Sequence, residues 1–88
     1  MTKAKHIIFA VHITSRMNNA GRVQELFSEY GCNIKTRIGL HEVTENVCSP
    51  NGLILLEMFG DEARCNELKD KLNKVSGVEV KAIEFDHP

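Results

Sequence analysis

No apolar stretch in this 88-residue sequence approaches the ~18 residues that a membrane-crossing helix needs. An excess of basic charge is also missing. Eleven Lys and Arg stand against twelve Asp and Glu, for a net charge of −1. That argues against direct nucleic-acid binding, which shows itself as a basic face or stripe. Cysteine is scarce and odd in number, at positions 32, 48 and 65, with no C-x-x-C pair. The expected setting is therefore reduced and cytoplasmic, with free thiols. The basic residues 1–6 and the apolar residues 7–11 are too short a pair to form a signal peptide, and no cleavage pattern follows. Internal repeats and low-complexity segments are absent. The hydrophobic content of 42% and charged content of 26% are those of a soluble globular domain. A chain of this length holds one modest core, so residues 1–88 are expected to form a single domain.

Periodicity assigns the elements. Over residues 5–14, Ile7, Phe9, Val11 and Ile13 share one parity, while His6, Ile8, Ala10 and His12 share the other. That alternation predicts a strand with one fully apolar face. The polar run from Thr14 to Gly21 is rich in N-cap types and starts a helix. The helix buries Val23, Leu26, Phe27 and Tyr30 at i, i+3, i+4 and i+7. Gly31 then stands where a left-handed C-terminal cap is expected. Gly21 is read either as a loop residue or as a point of close backbone approach.

Ile34–Val43 predicts a second strand, with Ile34, Thr36, Ile38 and Leu40 toward the core and Lys35, Arg37, Gly39, His41 and Val43 opposite. Residues 53–59 predict a third strand that is apolar on both faces. An apolar outer face on so small a chain implies burial against another subunit. Between these strands, Cys48-Ser49-Pro50-Asn51-Gly52 reads as the turn that ends a long hairpin loop. Asp61 is the expected cap of a second helix, which buries Cys65, Leu68, Leu72 and Val75 and stops at Gly77. In the last strand, Val78–Phe85, the apolar parity switches between Val80 and Ile83, which suggests a bulge or an edge strand.

The resulting order, β-α-β-β-α-β, predicts an α+β ferredoxin-like sandwich: a four-stranded antiparallel sheet with both helices on one face. Catalysis has little to build on. Cys48 and His41 are the only nucleophile and base close in sequence, with no third group to orient the base. Glu42 and Glu45 read as solvated hairpin charges. The expectation is a non-enzymatic protein that needs no cofactor.

The element order, with its polar segment before the first helix, resembles the ACT domain, a small regulatory module that binds amino acids or other small ligands at subunit interfaces. The blocks RVQELFSEYGCNIKTRIGLHEV (22–43), CSPNGLILLE (48–57) and GVEVK (77–81) are similar to the iron-only hydrogenase system regulator family of stand-alone ACT-like proteins. This resemblance covers nearly the whole chain. It implies a regulatory, small-ligand-sensing domain that forms a homo-oligomer, dimer or tetramer, through an exposed sheet face or edge, with a protein partner if it acts on transcription. It also implies a ligand site at Thr14, Ser15, Asn18, Asn19 and Gly21 against a neighbouring subunit. Arg37 and His41 join these as candidates from the second strand. The acidic-x-Pro-Gly sequence common in ACT loops is replaced here by Asn18-Asn19-Ala20-Gly21. The fold also resembles the regulatory domain of nickel-responsive repressors, which makes His12, His41 and Cys48 an alternative transition-metal set.

Overall fold

The computed structural model describes residues 5–14, 16–43 and 48–87, with the side chains of 16–20, 40–43 and 48–51 outside the description. Strand β1 (His6–Ile13) leads to helix α1 (Arg16–Glu29), and a 3-10 turn, Gly31–Asn33, leads to β2 (Ile34–Val43). Strand β3 (Cys48–Met58), helix α2 (Glu62–Asn73) and β4 (Val78–Phe85) complete the order. The sheet runs β2-β3-β1-β4 and every neighbouring pair is antiparallel. This is the expected α+β ferredoxin-like fold. Among the described residues, no helix is long and apolar enough to cross a membrane.

The alternation in β1 works as its sequence suggests. Ile7, Phe9, Val11 and Ile13 are buried, and the other parity is half-buried or exposed. Across from them, Val23, Leu26, Phe27 and Tyr30 of the α1 segment and Cys65, Leu68 and Leu72 of α2 close the same core. Leu56 and Met58 enter it from β3, and Val78 and Val80 from β4. Asp61 caps α2 by accepting a hydrogen bond from the Ala63 amide at 2.9 Å. Cys65 is a core residue, 1% exposed, and burial pushes its thiol pKa up. Tyr30 is buried beneath two cations: the Arg64 guanidinium carbon lies 4.4 Å and Lys71 Nζ 5.0 Å from its ring centre.

Four local expectations need correction. The first concerns β2. The pairing slips between Ile34 and Thr36, where β2 takes two steps against one step of β3. Lys35 is the extra residue of a β-bulge, which inverts the parity after it. Ile34 remains packed against the core. Thr36 and Ile38 now share a face with Glu57 and Leu55, while Arg37 turns toward α1. The second concerns Pro50, which does not sit in a turn. It lies within β3, where four steps of β3 match two of β2 between His41 and Val43. A residue without an N–H is tolerated at such an irregularity. The third concerns Gly31, which opens the 3-10 turn; positive φ falls instead on Gly60 (89°) and Gly77 (79°) among the described glycines. The fourth concerns β4. Of the bulge and the edge strand expected there, the edge strand is found. β4 stands at the edge of the sheet and pairs with β1 in unbroken register from Val78 to Phe85, so only the bulge is corrected. Ile83 and Phe85 simply face outward.

Candidate functional site

The helices cover one face of the sheet. The register lays out the other face in rows across β2, β3, β1 and β4. One row is Thr36, Glu57, Ile8 and Ile83, and the next is Ile38, Leu55, Ala10 and Lys81. Leu53, His12 and Glu79 form part of a third, and His6 and Phe85 stand at the opposite end. The middle of this open face is apolar. Ile38 is 49%, Ile83 51% and Phe85 45% exposed, and Ile8, Ala10, Leu53 and Leu55 are half-buried.

Polar chemistry collects at the end of the face where β1 begins and β3 ends. Glu57 is its centre. The Thr36 hydroxyl donates to Glu57 Oε1 at 2.7 Å, and His6 Nε2 lies 2.9 Å from Oε2. The His6 ring also approaches that of Phe85, with centroids 5.9 Å apart. The Thr36 hydrogen bond, followed by that of His6, holds the Glu57 pKa below its ordinary value of 4.5. The folded chain therefore binds this proton less readily than the unfolded chain. The stabilisation is complete above that ordinary value and is lost as pH falls through the lowered one. Urea denaturation of the parent chain and of Glu57→Gln is expected to show the parent losing stability below about pH 4.5, with the slope shallower in the variant.

Behind this clasp lies a cavity of about 350 Å³, lined by Lys5, His6, Lys35, Glu57, Met58, Phe59 and Gly60. Its floor is rigid. The Phe59 amide donates to the Asn33 carbonyl at 2.8 Å, and Asn33 Nδ2 donates to the Phe59 carbonyl at 3.0 Å. Gly60 follows at φ 89°, which strains any residue with a Cβ, and an added Cβ would also lie 3.1 Å from Asn33 Nδ2, so that amide would have to shift. Lys5 is engaged elsewhere, 3.1 Å from Glu84 and 3.4 Å from Glu62. These carboxylates, the Glu84 hydrogen bond first, raise its pKa.

The residues expected to form a ligand site are not gathered in this way. Thr14 ends β1, and its amide and hydroxyl both donate to the Gly77 carbonyl, at 2.7 and 3.0 Å. It ties the two connections together at that end of the sheet. Ser15 lies outside the described residues. Asn18, Asn19 and Gly21 are within α1 and not in a loop, and an added Cβ at Gly21 would meet nothing within 4 Å. The side chains of Asn18 and Asn19 lie outside the description. Arg37 faces the helices: its Nη2 donates to Gln24 Oε1 at 3.1 Å, and its guanidinium carbon lies 4.8 Å from the Phe27 ring centre. It sits in the row of Phe9, five residues from Thr14, or roughly 17 Å along the strand direction.

For the alternative metal set, His12 is exposed on the open face, and His41 pairs with Gly52 two strands away, with β3 between them. Cys48 pairs with Val43. The side chains of His41 and Cys48 lie outside the description, and among the described residues no three His, Cys, Asp or Glu side chains group to hold a metal.

Lys5, His6, Lys35, Thr36, Glu57 and Phe59 are the residues that sequence reasoning missed as a group. Their one signal is that Glu57 is the only charged residue of the third strand. Which residues meet it depends on a register and a bulge that the sequence does not display.

No protein-family profile matches the chain, and no curated protein does. Among solved structures it is similar to an uncharacterized protein, TM1266, from Thermotoga maritima, at 26% identity and a TM-score of 0.78. That likeness covers 93% of this chain and 99% of the other, so the ferredoxin-like architecture is shared from end to end.

Proposed function

We propose that this chain is a non-enzymatic regulatory domain that pairs with a second copy through the open face of its sheet and senses a small ligand. The observation that carries this reading is the apolar centre of that face, formed by Ile8, Ala10, Ile38, Leu53, Leu55, Ile83 and Phe85 on four adjacent strands. Four strands at ~4.8 Å and eight residues at ~3.3 Å give a patch of roughly 19 by 26 Å, or about 500 Å² per copy before side-chain relief. Two such patches reach the ~1,000 Å² at which a specific interface becomes stable. Self-pairing about a two-fold axis uses the same face in both copies, so that Ile8, Ala10 and Leu55 of one copy meet those of the other.

The polar cluster favours binding over catalysis. Glu57 stands between the Thr36 hydroxyl and the His6 imidazole, so each contacts the carboxylate. A nucleophile activated by a base requires those two in mutual contact. The resemblance of residues 22–43, 48–57 and 77–81 to the iron-only hydrogenase system regulators makes control of such a system the process we propose. Sedimentation equilibrium tests the assembly. The expected particle has twice the 9.9 kDa chain mass at micromolar concentration. A single-chain mass throughout that range would overturn the reading.

A further inference from the structure

We propose that assembly through the open face is proton-linked: in each copy the His6–Glu57 pair takes up a proton from water as the face is covered. The pair then acts as a pH-sensitive clasp. This inference deepens the proposed dimer and rests on it. Both side chains stand on the face and within its covered length. Glu57 shares a row with Ile8 and Ile83, and His6 opens β1 with its ring against Phe85. Both are already partly withdrawn from water. The His6 side chain is 37% and the Glu57 side chain 29% exposed, and Nε2 lies 2.9 Å from Oε2. A second copy on the face removes the remaining water from two groups in hydrogen-bond contact.

The charges around the pair set the direction of the effect. β3 supplies Glu57, and β2 supplies the Thr36 hydroxyl and Lys35. β1 supplies Lys5, which is held by Glu62 of α2 and Glu84 of β4. β4 turns the uncharged Phe85 ring toward His6, and its Glu79 and Lys81 pair with each other farther along. While His6 is neutral, the cations Lys5 and Lys35 stand against the carboxylates Glu57, Glu62 and Glu84, and a negative charge is left in excess. Burying an uncompensated charge is costly. Burial alone favours a neutral imidazole, but contact with an ionised carboxylate reverses that preference. Glu57 stays ionised at neutral pH, because the Thr36 hydrogen bond and then that of His6 hold its pKa down. A proton on His6 therefore converts the contact to an ion pair and cancels the excess. Imidazole is the side chain that changes charge between about pH 5 and 8. The dimer binds more protons than two free chains, so association strengthens as pH falls through that range and weakens as it rises.

Sedimentation velocity over a dilution series of the full chain at pH 6, 7 and 8, at fixed ionic strength, is the test. The dimer Kd is expected to be at least about tenfold lower at pH 6 than at pH 8. His6→Gln keeps a donor for Glu57 but does not titrate, and its Kd is expected to be nearly the same at both ends of the range. Glu57→Gln removes the charge that the proton offsets, so protonated His6 is left unpaired in the covered face. Its dependence is expected to change sign, with the weaker dimer at pH 6. His12→Gln, farther along the same face, is expected to keep the parent's dependence. A parent Kd that ignores pH would overturn the clasp whatever the variants do. So would a dependence that survives in His6→Gln, disappears in His12→Gln, or keeps the parent's sign in Glu57→Gln. The two readings fail differently. A dimer indifferent to pH removes the clasp and leaves the assembly, whereas a single chain at every pH and concentration removes both.

Discussion

Phe9→Ala is expected to remove about 3–5 kcal/mol of folding stability, the cost of deleting a buried aromatic ring and leaving a cavity. Phe9 is 0% exposed and sits in the middle of β1, paired with Leu56 on one side and Ala82 on the other. Neither neighbour can fill the space. Leu56 is itself fully buried, and Ala82 has no side-chain length to lend. A chain of this size has only ~4–13 kcal/mol of total stability, so the variant loses a large fraction of it. Its thermal midpoint is expected to fall by more than ~12 °C. Thermal and urea unfolding check this, and a change of only a few degrees would mean that the ring is not central to the core. Ala10 is the adjacent comparison, since it faces the other way and is half-buried. Ala10→Ser is expected to leave the protomer core intact.

Ile83→Lys is the second large effect, and it acts on assembly and not on the fold. Ile83 is 51% exposed in the single chain and pairs with Ile8 from β4, an edge strand of the open face. Substituting an exposed site changes protomer stability little, within about 0.5 kcal/mol. In the proposed dimer the same residue is covered, and an ammonium group there has no partner. Burying it unpaired costs several kcal/mol, which weakens association at least about a hundredfold. Sedimentation velocity over a dilution series is expected to show the variant as a single chain at concentrations where the parent is paired. Its circular dichroism is expected to be unchanged. A variant with the parent's mass would place the contact elsewhere.

The parts of the fold that were legible in the sequence are those in which one physical rule acts alone. β1 alternates without interruption, and the segments ending in Tyr30 and Asn73 carry apolar residues at three- and four-residue steps, so their buried sets follow directly. Asp61 is a cap because its carboxylate, two residues before Ala63, reaches that free first-turn amide. β2 was misread because either parity of the strand has an apolar claim. Ile38 looks like core, yet the bulge at Lys35 turns it outward, and the stem of Arg37 can lie against Phe27 while its charge reaches Gln24. Pro50-Asn51-Gly52 has turn chemistry, but the same residues serve a bulged strand.

The candidate site was less legible than the fold because it is made wholly of long-range encounters. His6 and Glu57 are 51 residues apart, and Thr36 and Glu57 are 21 apart. Only pairing on both flanks of β3 brings the three together. The apolar excess of that strand, by contrast, is a local property, and it pointed to the open face from the sequence alone.

Methyl resonances read against a soluble gadolinium chelate give the most direct test of the covered face. At concentrations where the particle is paired, the methyl groups of Ile8, Ile38, Leu55 and Ile83 are expected to resist broadening nearly as well as those of the core residues Leu68 and Leu72. In Ile83→Lys, those of Ile8, Ile38 and Leu55 are expected to broaden like exposed methyls. If these groups broaden freely in the parent chain while its mass is that of a dimer, the open face is bare and the account of it is wrong.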